Sequence, residues 1–239
     1  VPATLRSNGI LMAQTTPQGG TIAGSSSVVQ LDAWNWEDAA LRTDDAMHMT
    51  WPVTPRVRGG FGGFGRTLAS PEVLAERTQA AINQLSSFFA EAKAYIEMGK
   101  PETINTRFEA MKKVFSGQEK LFITADSQKD IVAAVNFAKK FGITPVIAGA
   151  DEAYLIIDFL KENNISLVIK QPHALPSNND DDVNMPYKNA AVLANAGLNV
   201  VLSIDGYWQQ RNLPFMAGTA TAWGLDKEKA LSTITHNAA

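Results

Sequence analysis

The sequence predicts an α/β fold, because three features recur together from about residue 119. They are short apolar runs, an amphipathic segment behind most of them, and a spacing that suits strands joined by covering helices. The first unit pairs Leu121-Phe122-Ile123-Thr124 with a helix from about Ser127 to Phe141. There Ile131, Val132, Val135 and Ala138 recur at helical spacing, and Gly142 ends the helix. The second pairs Pro145-Val146-Ile147-Ala148 with a helix from about Asp151 to Glu162, closed by Asn163-Asn164. The third strand, Ser166-Leu167-Val168-Ile169, leads into a polar loop from Gln171 to Pro186 and then a helix over about Tyr187 to Ala196. The fourth, Asn199-Val200-Val201-Leu202-Ser203, is followed by helices near Leu213 to Trp223 and Lys227 to His236. The strand starts recur at the spacing of right-handed βαβ crossovers, which makes parallel pairing the expected topology. The period alone fits an open sheet and a closed barrel equally.

The front of the chain reads differently. Gly9-Ile10-Leu11-Met12-Ala13 and Val28-Val29-Gln30-Leu31 suit strands, and the Gly/Ser/Thr-rich stretch from Thr15 to Ser27 suits a loop between them. Ser70-Pro71-Glu72 is an N-cap followed by proline in the first turn, and it opens a long helix reaching about Met98 before Gly99 and Pro101 stop it. A second helix is expected over Arg107 to Phe115. Together, at about residues 70–117, they exceed an ordinary crossover and read as a helical insertion. Trp34, Trp36 and Trp51 suit a subunit interface, where tryptophan anchors, and core packing equally well.

The 239 residues, 45% hydrophobic, suffice for one sizeable domain with its own core. A net charge of −3 gives no electrostatic footprint for nucleic acid or an anionic membrane. Without cysteine there is no disulfide, zinc thiolate or cysteine nucleophile, and both a reducing cytoplasm and a periplasm fit, so the compartment stays open. No apolar run approaches the roughly 18 residues of a membrane span. The first residues lack both an initiator Met and a signal-peptide pattern, so the chain is expected to begin inside a longer protein.

Gly59-Gly60-Phe61-Gly62-Gly63-Phe64-Gly65 would let backbone amides approach an anion, but no strand precedes it and no helix follows directly, so a loop is expected. Asn178-Asn179-Asp180-Asp181-Asp182 lacks the alternating spacing of a calcium loop and reads as solvated. His48, His173 and His236 are the only histidines, with no H-x-H and no H-E-x-x-H among them. His173 follows the third strand and Asp205 the fourth, at the carboxyl ends where α/β sites are built. His173 reads as a site residue or a loop histidine, and Asp205 as a general base or a turn or capping residue beside Gly206. No Ser-His-Asp or G-x-S-x-G arrangement is present.

Two stretches resemble a bacterial branch of the amidohydrolase superfamily, the group related to imidazolonepropionase and dihydroorotase. The tail from Ala217 to Ala239, with Gly224-Leu225, an acidic turn at Asp226 and Ala230-Leu231 leading to Thr235, Asn237 and Ala239, is similar to that family's end-of-barrel signature. The front segment from Pro17 to Ser27, followed by Gln30-Leu31-Asp32 and Trp34-Asn35-Trp36-Glu37-Asp38, is similar to a glycine-serine loop and acidic-aromatic run of one branch.

The resemblance implies part of a (β/α)8 TIM-type barrel, residues 1–239 being a fragment of one such domain, with a long helical insertion. It also implies a divalent metal, zinc or similar, held by histidines after several strands and an aspartate after the last, activating water to hydrolyse a non-peptide C–N bond such as that of a cyclic amide. The H-x-H strand would lie before residue 1, and a flanking β-sandwich would draw on segments outside both ends. Thr124-Ala125-Asp126 stands where H-A-D is usual, and Ala148-Gly149-Ala150-Asp151-Glu152-Ala153 where another histidine is usual; only Asp205 keeps the expected residue type. A threonine hydroxyl is a far weaker zinc ligand than imidazole, so the metal site is expected to be degenerate and its ligands stay unassigned.

Asp205 and His173 are the expected catalytic residues, and Thr124 and Asp126 the expected contacts to a small-molecule substrate. The alternatives are a non-catalytic ligand-binding subunit, a homo- or hetero-oligomeric partner of an active amidohydrolase, and an open-sheet small-molecule-binding module. The last predicts phosphate contacts at the helix start after Thr124, whereas the barrel predicts a pocket joining Thr124, His173 and Asp205.

Overall fold

The computed structural model describes residues 2–53, 70–99, 102–176, 180–206 and 208–239. The Gly59–Gly65 run, Pro101, Asn178 and Asn179 lie outside the described residues. Seven strands form one sheet whose spatial order is the chain order: β1 (Met12–Thr15), β2 (Ile22–Gln30), β3 (Ala40–Thr50), β4 (Lys120–Ala125), β5 (Val146–Gly149), β6 (Ser166–Lys170) and β7 (Val200–Ser203). β1, β2 and β3 pair antiparallel, and β3 to β7 pair parallel, as the repeated units predict. The helices are α1 (Pro2–Ser7), α2 (Trp36–Ala39), α3 (Pro71–Glu97), α4 (Thr106–Phe115), α5 (Gln128–Lys140), α6 (Ile157–Glu162), α7 (Met185–Asn195), α8 (Leu213–Ala222) and α9 (Lys227–Ser232). The sheet curls into a half-barrel, and α1, ahead of β1, lies against the turn Gln209–Asn212 that follows β7.

Period-two alternation divides the parallel strands between two faces. Leu121 and Ile123 of β4, Leu167 and Ile169 of β6, and Val200 and Leu202 of β7 are buried in one cluster with Ile131 and Val135 of α5, Leu160 of α6, Leu193 of α7 and Met216 of α8. The alternate residues, among them Phe122, Thr124, Val168, Lys170 and Ser203, are half-buried on the opposite face. Fully burying one such aliphatic side chain contributes about 1.5–3 kcal/mol, so this helix-covered face holds the sheet together.

Several helix starts follow their caps. Ser127 accepts from the Asp130 amide at 3.2 Å, and Ser70 accepts from the Val73 amide with Pro71 in the first turn. The 27-residue α3 and α4 form the crossover between the parallel neighbours β3 and β4. Aromatic rings lock this crossover in place. Phe89 of α3 is fully buried, with ring centroids 4.9 Å from Phe137, 5.3 Å from Phe141 and 6.0 Å from Phe115. Trp51, just past β3, packs edge-on against Phe137 and is buried, whereas Trp34 and Trp36 are exposed.

The structure departs from the expected elements at the front. β2 begins at Ile22, so residues 22–27 of the Gly/Ser stretch are strand: its small polar residues are held extended by ladders to both neighbours, with the Ser26 hydroxyl donating to the Ala46 carbonyl at 3.1 Å. β3 has no counterpart among the expected strands. Its first half is exposed and polar, and Asp44, with φ of 49°, interrupts the alternation that marks a strand.

The outer edge of β7 is covered by the segment after α9. The Leu202 amide donates to the Thr233 carbonyl at 3.0 Å, and Asn237 Nδ2 donates to the Val200 carbonyl at 2.9 Å. No described helix is long and apolar enough to cross a membrane.

Candidate functional site

Parallel pairing puts the carboxyl ends of β3 to β7 on one side, so the residues that follow each strand gather there. Two of the four residues singled out in the sequence meet at one cleft. His173, after β6, and Asp205, after β7, line a space of about 320 Å³ together with Gln171, Gln209, Asn212 and Met216.

The His173 ring is fixed from two directions. It stacks on Tyr187 of α7 at 5.3 Å between centroids, and its Nε2 lies 2.6 Å from the Thr219 hydroxyl of α8. That hydroxyl donates to the Phe215 carbonyl at 3.0 Å, which leaves its lone pairs toward His173 Nε2. Asp205 is exposed beside Gly206, and the turn Gln209–Asn212 has no side-chain cap, so Asp205 caps no helix. A carboxyl and an imidazole side chain in one polar cleft can orient a polar ligand and exchange a proton with water or substrate.

Thr124 and Asp126 stand at the carboxyl end of β4 and do not line this cleft. Thr124 is half-buried on the inner face, and its carbonyl accepts from the Trp51 amide at 3.0 Å. Asp126 is packed tightly against Gly149: a Cβ at that glycine would sit 1.9 Å from Asp126 Oδ1, and the φ of +97° is one that glycine takes without strain.

His48, which sequence reasoning set aside, lies on β3 facing the same side of the sheet as Phe122, at 4.9 Å between rings. Its Nε2 donates to the buried Ser26 hydroxyl at 2.8 Å. Burial holds its imidazole below the usual histidine range; the Lys170 ammonium adds to this and the Asp45 carboxylate opposes it. Lys170 is separated from His48 by β4 and β5 along the sheet, and its influence reaches His48 across the inner face. The alternation Ser166-Val168-Lys170 was the signal that could have placed this lysine.

The donor set decides the fit of a divalent transition metal. Among the described residues no three His, Cys, Asp or Glu side chains converge, and Thr124 offers a neutral hydroxyl where the resemblance leads one to expect imidazole. The described residues therefore do not fit such a centre.

No family model matches the sequence, and no curated protein does. The crystal structure of an amidohydrolase from Thermotoga maritima MSB8 superposes with a TM-score of 0.74 at 20% identity, covering 99% of this chain. The fold is amidohydrolase-like. The chain spans 62% of the length of that protein.

Proposed function

We propose that this chain is an amidohydrolase-like protein that receives a small polar molecule of the amide or cyclic amide class in the cleft between the ends of β6 and β7, and that its metal centre is degenerate. The observation that carries the reading is the meeting of His173 and Asp205 at the carboxyl ends of adjacent parallel strands, in a fold shared with an amidohydrolase. An imidazole and a carboxyl side chain offer hydrogen-bonding partners that suit an amide, which carries both a donor and an acceptor. Hydrolysis of a non-peptide C–N bond is the reaction class that the fold suggests, with Asp205 as general base. The long α3 and α4 are an elaboration of an ordinary barrel crossover.

Calorimetric titration of the full chain with cyclic amides and dipeptides, alongside elemental analysis, tests this. Saturable binding that Asp205→Asn and His173→Ala each weaken at least tenfold, with substoichiometric metal, supports it. Near-stoichiometric zinc, manganese or iron that falls in Asp205→Ala overturns the degenerate centre. Absence of binding by any amide overturns the ligand class.

A second reading, a partner subunit of an active amidohydrolase, draws on the exposure of Trp34 at 96% and Trp36 at 76%. Light scattering that shows only monomer, alone and with such a partner, would rule it out.

A further inference from the structure

Gly206 follows Asp205 directly, with φ of +94°, and the side chain of Gln209 folds back over it. A Cβ at Gly206 would sit 2.5 Å from Gln209 Oε1 and 3.1 Å from its Cδ, so the carboxamide occupies the space that any other residue at 206 would fill. Glycine takes that φ without strain. The turn Gln209–Asn212 carries the chain from there into α8, and Gln209 lines the cleft with His173 and Asp205. Among the described residues its carboxamide takes part in no hydrogen bond, and the residue is exposed, so the group is open to a ligand in the cleft.

The geometry of a carboxamide selects its partner. Its N–H and C=O point the same way along one edge, so a group with the complementary pair on one edge forms two antiparallel hydrogen bonds with it. A ring amide has that arrangement, because a small ring holds the C–N bond cis and sets the N–H beside the C=O. An open-chain secondary amide is trans, with the two groups opposed, and its cis form is costly. It makes one of the two bonds only. Ile204 and Met216 line the same cleft and offer apolar contact to the methylenes of a ring. The space of about 320 Å³ suits a small ring compound.

We propose that Gln209 is the residue by which this cleft selects ring amides over open-chain ones, and that Gly206 is its positioning residue. The selection rests on the reading of the cleft as an amide site, and it specifies which amides enter and which side chain reads them. Gln209 pairs with the N–H and C=O of the ring, and Gly206 holds the carboxamide beside Asp205 by leaving room for it.

The test is an NMR titration of the full chain with δ-valerolactam. N-methyl-δ-valerolactam is the ring that lacks the N–H, and N-methylacetamide is the open-chain amide. Wild type is expected to bind δ-valerolactam about tenfold more tightly than either control, the scale of one net hydrogen bond. Gln209→Met, which keeps the length and removes the polar atoms, should level the three. Gly206→Ala should do the same by displacing the carboxamide. In a Gln209→Met background it should cost no further affinity, whereas a purely structural effect of a strained turn would still show there. Equal binding of the three by wild type, or a preference that survives Gln209→Met, overturns the selection and leaves the amide reading of the cleft standing. A preference that survives Gly206→Ala, or a further loss in the double variant, overturns the role of Gly206. No binding of any of the three overturns the selection and the amide reading together.

Discussion

Glu119, immediately before β4, is 2% exposed, and its Oε1 has no hydrogen-bond partner. Burial holds its carboxyl above the usual carboxylate range; a hydrogen bond from Ser25 and the charge of Lys113 oppose this, while Asp44 and Asp45 reinforce it. A carboxyl whose folded pKa lies above its unfolded one favours folding fully below the unfolded value, and that contribution is lost as pH rises through the folded value. Glu119→Gln keeps the shape and removes the ionisation. At neutral pH the variant should be more stable by about 1–3 kcal/mol, the scale of the desolvation penalty that the buried charge carries and a neutral amide largely escapes. The difference should shrink toward zero below about pH 4, where the wild-type side chain is protonated in both states. With a urea m-value of about 3 kcal/mol/M, the unfolding midpoint moves up by roughly 0.3–1 M. Urea unfolding followed by tryptophan fluorescence from pH 4 to 8 measures this. A variant less stable than wild type throughout, or a gap that widens on acidification, would refute the reasoning.

Three further perturbations probe the inner face, the crossover and the β4–β5 junction. The His48 ring protons should titrate below the ordinary histidine range in NMR, and Lys170→Met should move that titration upward; because the folded value is depressed, the stability His48 confers is present above the unfolded value near 6.5 and is lost as pH falls through the folded one. Phe89→Ala should destabilise the protein by about 3–5 kcal/mol in chemical denaturation, since it empties a fully buried site among Phe115, Phe137 and Phe141. Gly149→Ala should lower Tm by roughly 3–10 °C, from about 1–3 kcal/mol of backbone strain and displacement of Asp126; an unchanged Tm would show that Asp126 moves away freely.

The parallel half of the fold was legible because its strands are apolar runs that alternate between a helix-covered face and an inner face, with Ser70 and Ser127 announcing the helices behind them. The antiparallel front was not. β2 is built from Gly24 and consecutive serines whose extended backbone is imposed by two neighbours, and β3 carries its burial only in Ala46, Met47 and Met49. These are tertiary effects that local propensity does not record.

At the site, position after a strand was enough to bring His173 and Asp205 together. It placed Thr124 and Asp126 at the correct end of β4 but could not tell which cleft they face, because that depends on curl. His48 escaped because its strand went unread.

The identity of strand order and chain order also bears on how the sheet is made. Each strand from β2 onward adds to the one synthesised just before it, so the sheet can grow in the direction of translation without leaving a gap for a later segment to enter. Such nearest-neighbour pairing shortens the loops that must close at each step. The growing edge stays open to pairing with other chains until something covers it. That cover is the Thr233 carbonyl and the Asn237 side chain, which occupy the outward-facing groups of Leu202 and Val200. Thr233 and Asn237 thus shield part of the edge of β7 from the association that an exposed strand invites.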